Sequence, residues 1–67
     1  MNLIEGIQAQ TTRVRDELIP RYEEIGTPGQ FALMMMRAAI LEGERAIASG
    51  DVVRMLAAHK SLEEFHE

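Results

Sequence analysis

Residues 26–36, GTPGQFALMMM, decide the fold that this sequence predicts. Gly26 suits the left-handed residue that ends a helix, while Thr27 and the proline after it suit the N-cap and first position of the next one. Gln30, three residues after Thr27, completes the pattern of a capping box. The six residues from Phe31 onward are all apolar, so this part of the helix needs cover on more than one side.

The remaining helix boundary follows from a second stop and start, Ser49-Gly50-Asp51. Glycine commonly ends helices, and aspartate is a preferred N-cap. The two signals divide a single 67-residue domain into helices at about residues 2–25, 28–49 and 52–65. We therefore predict an all-α fold, a three-helix bundle.

The first predicted helix carries an apolar stripe that Pro20 interrupts. Proline inside a helix removes a hydrogen bond and clashes with the preceding turn, so a kink is expected near Leu18–Ile19. Because the stripe resumes in phase at Ile25, we predict one proline-kinked helix and not two separate ones. The residues of the stripe follow steps of three and four, and they are Ile4, Ile7, Val14, Leu18 and Ile25. Thr11 and Arg21 occupy the two gaps in this series. Leu3, Ile19 and Tyr22 make the stripe wider.

The third predicted helix begins at the N-cap Asp51 and runs towards Phe65. Its large apolar residues and one histidine recur at helical spacing, which defines an inward face. The residues predicted to face inward are Val52, Met55, Leu56, His59, Leu62 and either Phe65 or His66.

The small size of the chain favours self-association. A core of this size seldom contributes more than about 3–5 kcal/mol, and the absence of cysteine removes disulfides as a means of stabilisation. We therefore expect a homo-oligomer built around the second helix and a stretch of the first, where small residues allow close approach. The expected oligomer or partner interface consists of Phe31, Met34, Met35, Met36, Ala39 and Gly43. The methionine run has two interpretations: core and oligomer interface, or an adaptable surface for a partner.

Composition excludes several classes of function. The net charge of −4 argues against nucleic-acid polymers, and no stretch is long and apolar enough to suggest a membrane segment or signal peptide, so we expect a cytoplasmic protein. His59, Glu63 and His66 share a helix face but have no fourth ligand, so we predict no metal and no cofactor. With no cysteine and no catalytic arrangement around the serines, we predict that the chain is not an enzyme.

An anion site is conceivable at the start of the second helix. Backbone N–H groups are unpaired at helix starts, and nearby arginines could hold a phosphate. The candidate ligand residues are Arg21, Thr27, Gly29 and Arg37. The alternative is an ordinary capped helix whose arginines pair with neighbouring carboxylates, as Arg13 could with Glu17.

Three strings of sequence support a resemblance: LIPRY at residues 18–22 leading to Ile25-Gly26, then Arg37 in an apolar helix, then ASGDVVRML at residues 48–56. Over residues 18–65 the chain resembles small helical proteins encoded by bacteriophages and prophages. That resemblance implies a stoichiometric binder that disables a host component. Arg21-Tyr22 through Ile25-Gly26 to Arg37-Ala38 also resembles phage proteins that sequester the cyclic-nucleotide messengers of host immunity.

Three functions are therefore open. The first is an inhibitor or modulator of a host defence protein that acts by direct contact in the host cytoplasm. The second is a sponge for a cyclic nucleotide, held by arginines and a helix start. The third is a structural or assembly subunit whose partner is itself.

Overall fold

The computed structural model describes residues 2–66, and every regular element among them is helical. The first helical stretch is continuous and consists of α1, a π-helical segment and α2. A short 3₁₀ turn leads into the long helix α3, and the turn at Gly50 leads into α4. The elements are α1 (Leu3–Arg13), the π segment (Val14–Leu18), α2 (Ile19–Ile25), the 3₁₀ turn (Thr27–Gly29), α3 (Gln30–Ser49) and α4 (Val52–Glu63).

The three helical stretches pack as a bundle, which confirms the all-α prediction. Gly6 lies against the ring of His59, and the guanidinium of Arg13 reaches the end of α4, so α1 and α4 run in the same direction. α3 returns between them and packs on both. The buried apolar core consists of Ile7, Val14, Leu18, Ile19, Leu33, Met36, Ala46, Met55, Ala58 and Leu62.

Gly43 of α3 lies against side chains of both α1 and α4. A Cβ atom at this position would be 3.2 Å from Cγ2 of Ile7 and 3.3 Å from Cδ1 of Leu62. The absence of a side chain therefore lets three helices of one chain meet. Gly43 was predicted to serve an interface, but the structure places it inside the bundle.

The π segment changes which residues of the first helical stretch face inward. The Ile19 amide donates to the carbonyl of Val14, five residues earlier, so this turn holds one residue more than an α-helical turn. Beyond it the inward positions move forward by one residue: Tyr22 is half-buried, whereas Arg21 is exposed. The prediction that the stripe resumes in phase at Ile25 is wrong, because this side chain is 55% exposed.

The predicted boundary between α3 and α4 is confirmed, and the predicted start of α3 is not. Asp51 caps α4 by accepting a hydrogen bond from the Arg54 amide at 3.2 Å, and Gly50 is left-handed, with φ 71° and ψ 5°. The predicted capping box at Thr27 does not form within residues 2–66: α3 begins at Gln30 without a side-chain cap. The 3₁₀ turn uses backbone partners instead, because the Gly29 amide donates to Gly26 at 2.9 Å.

The inward face of α4 is narrower than predicted. Met55 and Leu62 are buried as expected, but Val52 and Leu56 are 58% and 55% exposed. The buried residue between Met55 and Leu62 is Ala58, which is 3% exposed. A prediction based on large apolar side chains does not include this alanine. The small side chain of Ala58 nevertheless lets α4 lie close to the neighbouring helices.

The Glu42–Arg54 pair joins α3 to α4. Nε of Arg54 donates to one oxygen of the Glu42 carboxylate at 2.7 Å and Nη2 donates to the other at 2.9 Å. This hydrogen-bonded contact is the main reason why the pKa of Glu42 lies below its ordinary value of 4.5. The lowered pKa stabilises the fold above the unfolded-state pKa, and that contribution disappears as the pH falls through the folded-state value.

Glu42→Gln should therefore make the stability of the fold depend less steeply on pH below neutrality. Thermal unfolding of both proteins at a series of pH values from about 7 down to about 3 measures this difference. The loss of stability on acidification should be smaller in the variant than in the parent chain. Glu63→Gln, which changes an exposed carboxylate of α4, is the control, and an equal reduction of the pH dependence by both substitutions would contradict the assignment to the Arg54 pair.

Candidate interaction surfaces

The outer side of α3 is apolar and exposed. Phe31 and Met34 are 69% and 59% exposed, and Met35 and Leu41 are each 46% exposed. Together with the exposed Ala38 they form what we call the α3 face. This face exists because α3 has a second apolar stripe, opposite the buried one that contains Leu33, Met36, Gly43 and Ala46.

The predicted interface residues divide between these two stripes. Phe31, Met34 and Met35 are exposed, as an interface requires, and Ala39 is half-buried. Met36 is only 1% exposed and lies in the core of its own chain, as Gly43 does. Met36 and Gly43 therefore belong to the core of the chain and not to the predicted interface. The helix is apolar on all sides near Met36, but neighbouring helices of the same chain cover only one of those sides.

A shallow apolar groove lies beside the α3 face, between α3 and α4. Most of its lining side chains are small, and its large apolar lining residues are Met35 of α3 and Phe65, just after α4. The lining residues are Met35, Ala38, Ala39, Glu42, Ala58, Ser61 and Phe65.

A second exposed apolar surface lies at the start of α4. Val53 is 77% exposed, the most of any large apolar side chain in residues 2–66, and Val52 and Leu56 are each more than half exposed. These three residues form what we call the α4 patch. Polar residues border it, with Asp51 before it and Lys60 one turn beyond Leu56.

The predicted anion site is not assembled as one pocket. Arg37 lines a groove with Gln30, Phe31 and Met34, whereas Arg21 lines a different one with Tyr22, Glu24 and Ile25. Nη2 of Arg37 donates to the carboxylate of Glu23 at 3.1 Å. A phosphate at this arginine would therefore meet a negative charge, which raises the electrostatic cost of binding an anion.

The helix start beside this arginine is also less available than predicted. Gly29 is buried, its amide donates to Gly26, and the Gln30 amide donates to the carbonyl of Thr27. A Cβ at Gly29 would lie 2.5 Å from the Tyr22 carbonyl oxygen. This glycine therefore permits the close approach of α2 to the start of α3.

Arg13 has a structural position that sequence reasoning missed. Its Nη2 donates to the carbonyl oxygens of Leu62 at 3.0 Å and Phe65 at 2.8 Å, and its Nε donates to Gln10 at 2.9 Å. It binds the carbonyl end of α4, where a cation is favoured by the helix dipole. The predicted pairing of Arg13 with Glu17 is replaced by these contacts.

The same end of α4 is held by a second contact from the first helical stretch. The hydroxyl of Tyr22 donates to the carbonyl of His66 at 3.1 Å. No sequence pattern indicates either contact, because the partners are 44 to 52 positions apart in the chain.

The chain matches no protein-family model, no curated protein and no solved structure. Between residues 2 and 66, no helix combines the length and hydropathy needed to cross a bilayer. Within the same range no group of three or more His, Asp or Glu side chains is arranged to hold a metal ion.

Proposed function

We propose that this chain is a non-catalytic protein that acts by direct, stoichiometric contact with another protein. The observation that carries the proposal is the exposed apolar surface of the α3 face and the α4 patch. Phe31 and Val53 are 69% and 77% exposed, on different helices, in a chain of 67 residues. Contiguous exposed apolar surface of this kind is typical of sites that bind proteins.

The partner that fits the resemblance to phage proteins is a host defence protein in the host cytoplasm. A small binder would inhibit or modulate it by covering a functional surface. The α4 patch is suited to such a contact, since its apolar centre is bordered by Asp51 and Lys60. Interfaces of this type combine an apolar centre with a polar rim.

A cyclic-nucleotide sponge is the weaker candidate. It requires arginines that converge on one pocket and have no carboxylate nearby. The Arg37–Glu23 contact and the separate grooves of Arg21 and Arg37 oppose it. An assembly subunit remains compatible with the α3 face.

Capture of a partner by matched baits tests the proposal. The baits are the full chain, a double variant Val53→Glu/Leu56→Glu at exposed positions of α4, and the control Gln8→Glu at an exposed position of α1. We expect the parent chain and the control to retain the same host protein in equimolar amount. The double variant should retain at least about tenfold less, because a charge in an apolar contact costs more than the roughly 1.4 kcal/mol that corresponds to this factor.

Two results would contradict the proposal. One is the absence of any protein enriched over an unrelated helical bait, and the other is a thermal shift caused by cyclic dinucleotides in the purified chain. The second result would favour the sponge.

A further inference from the structure

We infer that α3 pairs with α3 of a second copy of this chain, antiparallel and centred on the middle of the helix. The inference goes beyond the proposed function, since it concerns a copy of the chain itself and uses the α3 face and not the α4 patch. It is derived from the spacing of exposed residues, their sizes and their charges.

The exposed residues of α3 follow a heptad spacing. Steps of three and four alternate without exception along the outer side of the helix, and all six positions are exposed. An alternation of this kind is the seam along which two α-helices pair in a coiled coil. The six positions are Phe31, Met34, Ala38, Leu41, Arg45 and Ala48.

Side-chain sizes favour the antiparallel arrangement. When two copies of α3 (Gln30–Ser49) overlap fully in opposite directions, Phe31 of one copy lies opposite Ala48 of the other, and Leu41 lies opposite Ala38. Each large side chain then meets a small one, which allows close packing. The parallel arrangement pairs alanine with alanine and leaves gaps.

The charge at Arg45 supports the same direction. In a parallel pair Arg45 would face Arg45 of the second copy within the seam, and like charges in such a contact repel. In the antiparallel pair it faces Met34, so that its aliphatic stem covers the thioether while its guanidinium reaches solvent.

The flanking charges are also complementary in the antiparallel pair. Arg37 and Glu44 lie two turns apart on the same side of the seam. Reversal of the second helix brings Arg37 of each copy beside Glu44 of the other, and the two-fold axis produces this contact twice. Within one copy the two side chains are separated by seven residues, about 10 Å along the helix.

The available surface is adequate for a dimer. A specific interface buries at least about 1,000 Å² in total, so each copy has to contribute about 500 Å². This is a little over a tenth of the 4484 Å² of accessible surface of the chain. The overlap of α3 along its 20 residues, about 30 Å, provides a contact of between five and six turns on each copy.

Light scattering of the purified chain at micromolar concentration is the first test. We expect a mass of twice 7.5 kDa for the parent chain, and the monomer mass for Ala38→Glu, which places a charge at the centre of the seam. Ala57→Glu, the same change at an exposed position of α4, should remain dimeric. Circular dichroism should show the same helix content in all three proteins. A monomeric parent chain, or a dimer that survives Ala38→Glu, would overturn the inference.

The direction and register of the pair require two further measurements. Because the chain contains no cysteine, Gln30→Cys gives a single site for a spin label. The two labels should be about 30 Å apart in the antiparallel dimer, whereas a parallel pair would place them about 10 Å apart. A short distance would overturn the inference.

Charge exchange tests the register. Arg37→Glu should weaken the dimer several-fold, and adding Glu44→Arg should restore it, because the two exchanged charges meet only across the interface. Glu23→Gln removes the partner of Arg37 within its own chain and should leave dimerisation unchanged. Failure of the rescue would exclude this register. All three tests use the purified chain alone, so their failure is distinguishable from a failure to capture a host protein.

Discussion

Met36→Asp should prevent the chain from folding, whereas Met35→Asp should leave a folded helical monomer. Met36 is 1% exposed and lies among core side chains, while its neighbour is 46% exposed on the α3 face. A buried carboxylate without a partner costs several kcal/mol, which is comparable to the roughly 3–5 kcal/mol that stabilises a domain of this size. A substitution at an exposed position usually changes stability by about 0.5 kcal/mol.

Urea unfolding followed by circular dichroism measures both effects. Met36→Leu is the matched control, because a volume-conserving exchange should cost less than about 1.5 kcal/mol. Equal destabilisation by the two aspartates would place both methionines in equivalent surroundings and would contradict the division of α3 into a buried and an exposed stripe. Met35→Asp also lies beside the seam, so its stability should be compared at a concentration where the parent chain is monomeric.

Arg13→Ala should lower the free energy of unfolding by about 1.5–3 kcal/mol, the range for hydrogen bonds made by a charged group. The substitution removes both contacts with the carbonyl end of α4, at Leu62 and Phe65. Most of the loss should appear as fraying of that end, since the first residues of α4 are held separately by Asp51.

Hydrogen exchange resolved by residue tests this localisation. Amides near Leu62 should lose protection in Arg13→Ala, and those near Met55 should lose less. Arg15→Ala is the control, because this exposed arginine makes its hydrogen bond with the adjacent Asp16. A loss of stability below about 0.5 kcal/mol, the usual size of a neutral surface change, would show that the contacts at the end of α4 contribute little.

Local signals in the sequence are sufficient to predict the helices and two of their caps. Gly50 acts through its backbone and Asp51 through its side chain, so residue type alone is enough to predict their roles. Which residues face inward beyond Leu18 cannot be predicted in this way. The polar Arg21 at an apparently inward position is the indication in the sequence that the helical period changes there.

The contacts that hold the bundle together are less predictable than its helices. Arg13 binds carbonyl groups about 50 positions away, and no local pattern encodes such a partner. Ala58 is buried because of what packs around it, although its side chain carries no strong hydrophobic signal.

The candidate surface was predicted in part. The excess of apolar residues in the first half of α3 indicated a helix that needs cover on several sides. The separation of Met34 and Met35 from Met36 depends on where the neighbouring helices lie, which only the fold determines. The expected phosphate pocket also depended on the directions of two arginines, and the structure directs them into different grooves.

The extra residue of the π segment allows Pro20 to stand in the first helical stretch. Loss of one residue between Arg13 and Ile19 would restore an ordinary α-helical turn while keeping Tyr22 directed at the bundle. Pro20 would then stand in a regular helix, where its ring clashes with the carbonyl four residues earlier. A homologous chain that is one residue shorter in this segment should therefore also have a different residue in place of the proline, so that the deletion and the substitution are inherited together.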